Sequence, residues 1–141
     1  MYYLRYLLYL IVFICFSTAN AGSYEDFFAA VQRDDVSVVR GLLDRGFDPN
    51  TPSPNGEVGL MLAIKGPALK VAELLLASPS LHVEVRNAND ESPLMLAALK
   101  GYSDLCLQMI RRDADVNKTG WTPLHYAATG GHVGAIKVLL E

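Results

Sequence analysis

The chain has 141 residues with 12 basic and 15 acidic side chains, which gives a formal net charge of −3. This balance excludes the broad basic surface that nucleic-acid binding requires, and a hydrophobic content of 51% excludes a disordered chain. The length allows one domain of ordinary size, with a core large enough to fold without disulfide bonds.

The first 21 residues predict an export signal. A short basic start ends at Arg5, residues 6–16 form an unbroken apolar run, and Ala19-Asn20-Ala21 has the small-residue form that signal peptidase cleaves. Eleven apolar residues form about 16 Å of helix, roughly half of a bilayer core. We therefore expect cleavage after Ala21 and an exported chain, periplasmic or secreted. An uncleaved membrane anchor and a buried helix are the alternatives.

Export decides how the two cysteines are interpreted. Cys15 would leave with the signal, so the mature chain would keep only Cys106 and could form no internal disulfide. Cys106 lies in an apolar stretch of a predicted helix, which indicates a buried and inert thiol.

The remainder of the chain repeats itself. Residues 94–100 align with residues 60–66 at an offset of 34, and residues 122–128 align with residues 92–98 at an offset of 30. Residues 27–31 continue the series upstream at an offset of 33. A period near 33 predicts an array of units that must stack, because one unit cannot bury its apolar face alone.

Each unit is predicted to hold two antiparallel helices and a protruding loop. Ser92 or Thr122 can cap the first helix, and the proline that follows suits the first helical position. Gly101 and the pair Gly130-Gly131 then end the first helix, and a second helix with an apolar stripe follows. Gly46 suits the left-handed residue after a second helix.

These motifs resemble the ankyrin repeat family. Residues 122–128, Gly131-His132, residues 138–140 and residues 114–117 are close to the family signature. The resemblance implies an all-α ankyrin repeat solenoid of stacked helix-turn-helix units with protruding hairpin loops, preceded by a signal peptide. The expected divisions are a signal peptide at 1–21, repeat 1 at 22–52 as N-terminal cap, repeat 2 at 53–86, repeat 3 at 87–116, and an incomplete repeat 4 at 117–141.

Three departures from the family pattern predict local differences, and the end of the sequence raises a separate question. Repeat 2 has Val58 where a capping serine or threonine would stand, and repeat 3 has Asp113 where a left-handed glycine belongs. The loop before Trp121 is about three residues shorter than the family's, so its hairpin should be stunted. The sequence stops at Glu141 within a predicted helix, from which we expect either a longer array or a partner that covers this end.

Catalytic and metal-binding motifs such as HExxH, CxxC, GxSxG and the phosphate loop do not occur in the sequence. The resemblance implies a hydrogen bond within the repeat for His125, and His132 is interpreted as structural and His82 as solvated. The acidic pairs Asp34-Asp35 and Asp90-Glu91 are interpreted as solvated surface, so Asp34→Ala should change little. We expect no catalysis, no cofactor and no metal.

The resemblance implies that a folded protein partner binds to the loop fingers and to the exposed ends of the first helices. Trp121 either anchors such an interface or packs against the neighbouring finger, and Leu99 is either core or contact. The finger positions are Asn55, Glu57, Asn89, Glu91, Thr119 and Trp121, and the helix positions are Gln32, Arg33, Lys65, Leu99, Lys100 and Thr129.

The sequence therefore predicts an exported protein–protein interaction module, with the short apolar core favouring bacterial export. The partner is an unidentified folded protein rather than nucleic acid, and the membrane is contacted only if the signal is retained. The alternative is the targeting part of a longer enzyme or effector whose catalytic domain lies beyond residue 141. Extending the reading frame would distinguish the two.

Overall fold

The computed structural model describes the backbone of residues 2–141 and the side chains of residues 3–11 and 22–141. This part of the chain is all-α, as predicted from the repeat pattern. Its helices are α1 (Tyr2–Gln32), α2 (Val36–Asp44), α3 (Gly59–Lys65), α4 (Leu69–Ala77), α5 (Pro93–Lys100), α6 (Ser103–Ile110), α7 (Pro123–Gly130) and α8 (Val133–Leu140).

The helices form two layers. The end of α1 packs on α2, and the later helices pair as α3 with α4, α5 with α6 and α7 with α8. The first helices contact one another in the order α1, α3, α5, α7, and the second helices in the order α2, α4, α6, α8. Phe27, Leu60 and Leu94 occupy equivalent positions in successive repeats and are fully buried in one continuous core. Each repeat thus buries its apolar face against the next.

The first helices of repeats 3 and 4 begin at their predicted caps. The Ser92 hydroxyl accepts a hydrogen bond from the Met95 N–H at 3.2 Å, and the Thr122 hydroxyl accepts one from the His125 N–H at 3.4 Å. A proline follows each cap. Val58, at the same place before α3, makes no side-chain cap. These three predictions are confirmed.

Left-handed residues end the helices at Gly46, as predicted, and also at two of the glycines that were predicted to end a first helix. Gly101 and Gly131 have φ angles of 76° and 72° at the ends of α5 and α7, and Gly46 has a φ of 88° after α2. Asp113 adopts the same conformation after α6, with a φ of 61°. An aspartate is among the few side chains that tolerate this region, at a cost of about 1 kcal/mol.

Helix α1 is longer than the predicted first helix of repeat 1. It runs without a break across the predicted boundary between Ala21 and Gly22. The large apolar side chains in residues 3–11 are exposed, from 51% at Ile11 to 90% at Tyr3. The Ala19-Asn20-Ala21 motif and Cys15 fall outside the described side chains, so the export signal stays a prediction.

Among the described residues, no helix combines the length and the apolarity that a bilayer crossing requires.

Asp34 and Asp35 are helix caps, so their interpretation as a solvated pair was wrong. Asp35 caps α2 by accepting a hydrogen bond from the Val38 N–H at 3.1 Å. The Asp34 carboxylate accepts one from the Val71 N–H at 2.8 Å, in the first turn of α4, where Ala68 supplies no side-chain cap. Asp34 therefore joins repeat 1 to repeat 2 across 37 residues. The sequence could not show this because the bond is not local.

We expect Asp34→Ala to lower the free energy of unfolding by about 2 kcal/mol. The variant loses the cap of α4, and it also places an alanine in the left-handed backbone conformation. Asp34 has a φ of 55°, so Asp34→Gly should remove only the cap and cost about 1 kcal/mol. Asp34→Asn keeps an acceptor oxygen and should cost least. Urea denaturation followed by circular dichroism measures all three, and an alanine variant as stable as wild type would contradict the cap.

Candidate protein-binding site

Three loops precede the first helices of repeats 2 to 4 and are called finger 1 (residues 53–57), finger 2 (residues 87–91) and finger 3 (residues 117–121). The Ser53 N–H donates to the Glu57 carbonyl at 2.9 Å, and the Asn87 N–H donates to the Glu91 carbonyl at 3.1 Å. These bonds close fingers 1 and 2. Among the described residues, finger 3 has no equivalent backbone bond, in agreement with the shorter loop predicted there.

The carboxylates of fingers 1 and 2 hold the fingers together. Glu57 pairs with Lys65 and also accepts a hydrogen bond from the Asn87 side chain at 3.3 Å. Glu91 accepts hydrogen bonds from Asn87 at 2.8 Å and from the Tyr126 hydroxyl at 3.1 Å. The chain of contacts from Glu57 to Tyr126 crosses repeats 2 to 4. Glu57, Glu91 and Lys65 are thus already bonded within the protein.

Asp90 and Lys118 add an ion pair between the tips of fingers 2 and 3. The hydrogen bond from Lys118 holds the pKa of the Asp90 carboxyl below its usual value. Asp90 is otherwise exposed, whereas Glu91 is half-buried. The interpretation of Asp90-Glu91 as solvated surface is therefore wrong for Glu91 and incomplete for Asp90.

Tyr126 lies in α7 and joins that helix to finger 2. Burial, then the hydrogen bond to Glu91 and the negative charge of that carboxylate, raise the pKa of the Tyr126 phenol. The phenol therefore stays protonated at neutral pH and remains a donor to Glu91.

Trp121 is the exposed aromatic residue of finger 3, with 61% of its surface accessible. Its ring lies 5.4 Å from that of His125 and 6.1 Å from that of Tyr126, measured between centroids. Both contacts are with the helix of its own repeat, and neither is with the neighbouring finger. The indole is therefore positioned by α7 and still accessible to a partner.

His125 holds the start of α7, as the family resemblance implied. Its Nδ1 accepts a hydrogen bond from the Thr122 N–H at 3.1 Å and lies 2.8 Å from the Thr122 hydroxyl. The structural assignment of His125 is confirmed.

The remaining candidate positions differ in accessibility. Leu99 is half-buried, so its exposure fits neither a fully buried core residue nor a fully exposed contact residue. The Thr129 hydroxyl donates to the His125 carbonyl at 2.8 Å and stays at the surface. The candidates exposed to solvent without a side-chain role in the finger contacts are Asn55, Asn89, Thr119, Gln32, Arg33, Lys100 and Thr129.

The residues that sequence reasoning missed at this site are Asn87, Lys118 and Tyr126. Each makes its contact across a repeat boundary, at separations of 28 to 35 residues. The spacing of about one repeat was the available signal, since residues one period apart become neighbours in a stacked array.

The other two histidines and the cysteine have structural surroundings. The half-buried His132 ring packs against the backbone of Gly101 and Gly130. His82 is exposed, and its N–H donates to the Asn50 side chain at 2.7 Å. Cys106 is fully buried, and burial raises its pKa to about 12. The thiolate is then negligible at neutral pH, which confirms an inert thiol.

Potential metal ligands do not cluster in the part of the molecule with described side chains, where no group of three or more histidine, cysteine or acidic residues could hold an ion.

Comparison with known proteins identifies the family. The family model described as ankyrin repeats (3 copies) matches residues 27–119 and 60–141. The chain is similar to the ankyrin repeat and KH domain-containing protein mask of Drosophila melanogaster, at 36% identity over 102 residues, 70% of this chain and 2% of that protein.

The chain is also similar to two further relatives. Neurogenic locus notch homolog protein 4 of Homo sapiens is 37% identical over 79 residues, 56% of this chain and 4% of that protein. A putative ankyrin repeat protein of Rickettsia bellii is 27% identical over 123 residues, 84% of this chain and 47% of that protein. The chain spans less than half the length of each relative. Because the family model matches most of the chain, the protein belongs to the ankyrin repeat family, a general protein–protein interaction module.

Proposed function

We propose that this protein is an exported interaction module that binds a folded protein partner through its fingers and first-helix ends and has no catalytic activity of its own. The observation that carries the proposal is the exposed Trp121 on a finger that the rest of the array holds in place. Tryptophan is among the residues enriched at the energetic centres of protein interfaces.

The contacts between the fingers support binding without large rearrangement. Asn87 bridges Glu57 and Glu91, and Asp90 pairs with Lys118. Loops already held by such bonds lose less conformational entropy when a partner binds, so more of the contact energy appears as affinity.

We expect Trp121→Ala to weaken partner binding by about 2 kcal/mol or more while the helix content stays unchanged. Affinity capture from the compartment in which the protein accumulates identifies the partner, and calorimetric titration with the purified partner gives the affinity. Binding of Trp121→Ala as tight as that of wild type would contradict the finger-anchor proposal.

Val133→Ala is the matched control for this experiment. Val133 is apolar and 63% exposed, close to the 61% of Trp121, but it begins α8 in the layer of second helices. Loss of exposed apolar surface in general would affect both variants. Loss of a specific anchor should affect only Trp121→Ala.

The exposed beginning of α1 supports the export part of the proposal. Apolar side chains in residues 3–11 contact solvent, and Phe27 is the first buried core residue among the described side chains. A contiguous apolar surface of this kind indicates a segment that contacts a membrane or targeting machinery, or is removed. Contact with a membrane or targeting machinery and removal by cleavage are both properties of a signal segment.

We expect the mature protein to begin at Gly22, because cleavage would follow Ala21. Intact-mass measurement and N-terminal sequencing of the protein recovered from the periplasm or medium test this. A recovered protein that still carries residues 1–21 would contradict signal cleavage.

A further inference from the structure

Glu91 is distinguished from the other acidic residues of fingers 1 and 2 by its lack of a cationic partner. Glu57 pairs with Lys65, and Asp90 pairs with Lys118. In the part of the chain with described side chains, no basic residue forms an ion pair with Glu91. Its hydrogen bonds come from neutral donors, the Asn87 amide and the Tyr126 phenol. A half-buried negative charge therefore remains uncompensated in finger 2.

Tyr126 brings this charge next to the exposed indole of Trp121. The Tyr126 hydroxyl is 3.1 Å from a Glu91 carboxylate oxygen. The ring of the same tyrosine meets the Trp121 ring edge-on, with centroids 6.1 Å apart and an interplanar angle of 86°. The carboxylate and the indole are thus separated by the width of one tyrosine side chain.

In the described contacts, the basic side chains near Asp90, the neighbour of Glu91, are paired with other carboxylates. Lys118 forms an ion pair with Asp90, and Arg86 forms one with Glu84. The surface formed by Glu91, Tyr126 and Trp121 therefore combines a net negative charge with an aromatic ring.

An arginine side chain is the group that this combination fits best. A cation is attracted to the face of an indole, and a planar guanidinium can stack on the ring while its N–H groups point to a neighbouring carboxylate. Each Glu91 oxygen accepts one hydrogen bond and has capacity for another. A lysine ammonium would offer a point charge without the planar contact.

We infer that Glu91 and Trp121 form a binding site for an arginine side chain displayed by the folded protein partner. The inference rests on the proposed function, since it names the chemistry of the partner residue that contacts finger 2 and finger 3. Charge complementarity at Glu91 is the observation that selects a basic residue over an apolar one.

The test uses Nα-acetyl-L-arginine methylamide as the probe and the full chain labelled with ¹⁵N. The chain has a single tryptophan, so its indole N–H gives one unambiguous NMR signal. The uncharged analogue Nα-acetyl-L-citrulline methylamide is the matched ligand, and both titrations are made at constant ionic strength. We expect saturable shifts at the Trp121 indole and the Glu91 amide, with the arginine probe bound at least about threefold more tightly than citrulline.

The variants separate the charge from the ring. Glu91→Gln retains the shape and an acceptor oxygen, and it should weaken arginine binding about threefold or more without changing citrulline binding. Glu73→Gln is the control for the loss of a carboxylate, because Glu73 is exposed on α4 in the layer of second helices, and it should bind the probe as wild type does. Melting temperatures of all variants verify that they are folded.

Equal affinity for arginine and citrulline, or a Glu91→Gln variant that binds arginine as wild type does, would overturn the inference. The partner titration tells this failure apart from failure of the proposed function. If Trp121→Ala weakens partner binding but arginine is not preferred, the finger interface stands and only the arginine site falls. If arginine binds as expected but Trp121→Ala leaves partner affinity unchanged, the site stands and the finger-anchor proposal falls.

Discussion

Replacing Arg112 by alanine should lower the free energy of unfolding by about 3 kcal/mol, because its guanidinium bonds backbone carbonyls of the preceding repeat. One nitrogen donates to the Leu76 carbonyl at 2.7 Å and the Ser78 carbonyl at 3.0 Å. The other donates to the Leu81 carbonyl at 2.8 Å and lies 3.5 Å from that of Pro79. These carbonyls lie at the end of α4 and in the loop after it.

The expected loss of stability follows from the backbone carbonyls that Arg112→Ala would leave without a donor. The last carbonyls of a helix have no partner within the helix, and this end is partly buried against repeat 3. Hydrogen bonds from a charged donor contribute about 1.5–3 kcal/mol each, and water would replace only part of them. The loss should therefore exceed that of an ordinary surface substitution several-fold.

Arg111→Ala is the matched control for Arg112→Ala. Arg111 is the exposed neighbour in the chain, so its removal should change stability by about 0.5 kcal/mol or less. Arg112→Lys keeps the charge but cannot reach carbonyls on both sides, and it should give an intermediate value. Urea midpoints from circular dichroism measure all three, and equal midpoints for the two alanine variants would refute the role of Arg112.

Features that depend on nearby residues were predictable from the sequence. The caps at Ser92 and Thr122 and the left-handed residues at Gly46 and Asp113 all involve neighbours within about one turn. Local patterns specify such geometry because propensity and capping act over a few residues. The 33-residue period then gave the order of stacking.

Contacts between repeats were not predictable in the same way. Asp34 bonds Val71, Arg112 bonds Leu76, and Tyr126 bonds Glu91, at separations of 35 to 37 residues. The sequence places these side chains one repeat apart but does not reveal which donor reaches which acceptor. Asp34 was misinterpreted for this reason, and Glu91 was taken for a free contact residue although it bonds Tyr126.

Gly130→Ala should destabilise the protein by about 2 kcal/mol or more, because α5 and α7 approach each other at this residue. A Cβ placed on Gly130 would collide with the Leu99 carbonyl oxygen and would lie 2.6 Å from the His132 ring. The Leu99 carbonyl belongs to the α5 backbone, so rotation of a side chain cannot relieve the collision. The two helices would have to separate, and overpacking of this kind costs about 1–3 kcal/mol.

A glycine-to-alanine substitution at Gly41 should change the stability in the opposite direction, so it is the control for Gly130→Ala. Gly41 lies inside α2, and a Cβ there would meet no atom within 4 Å. Alanine is favoured over glycine in a helix interior by about 1 kcal/mol, so Gly41→Ala should raise the urea midpoint. If Gly130→Ala also raised it, helix propensity would outweigh the contact, and the close approach of α5 and α7 would not require glycine. Opposite shifts of the urea midpoint in the two variants would show that the packing between repeats 3 and 4 requires glycine at position 130, although glycine is unfavourable in a helix.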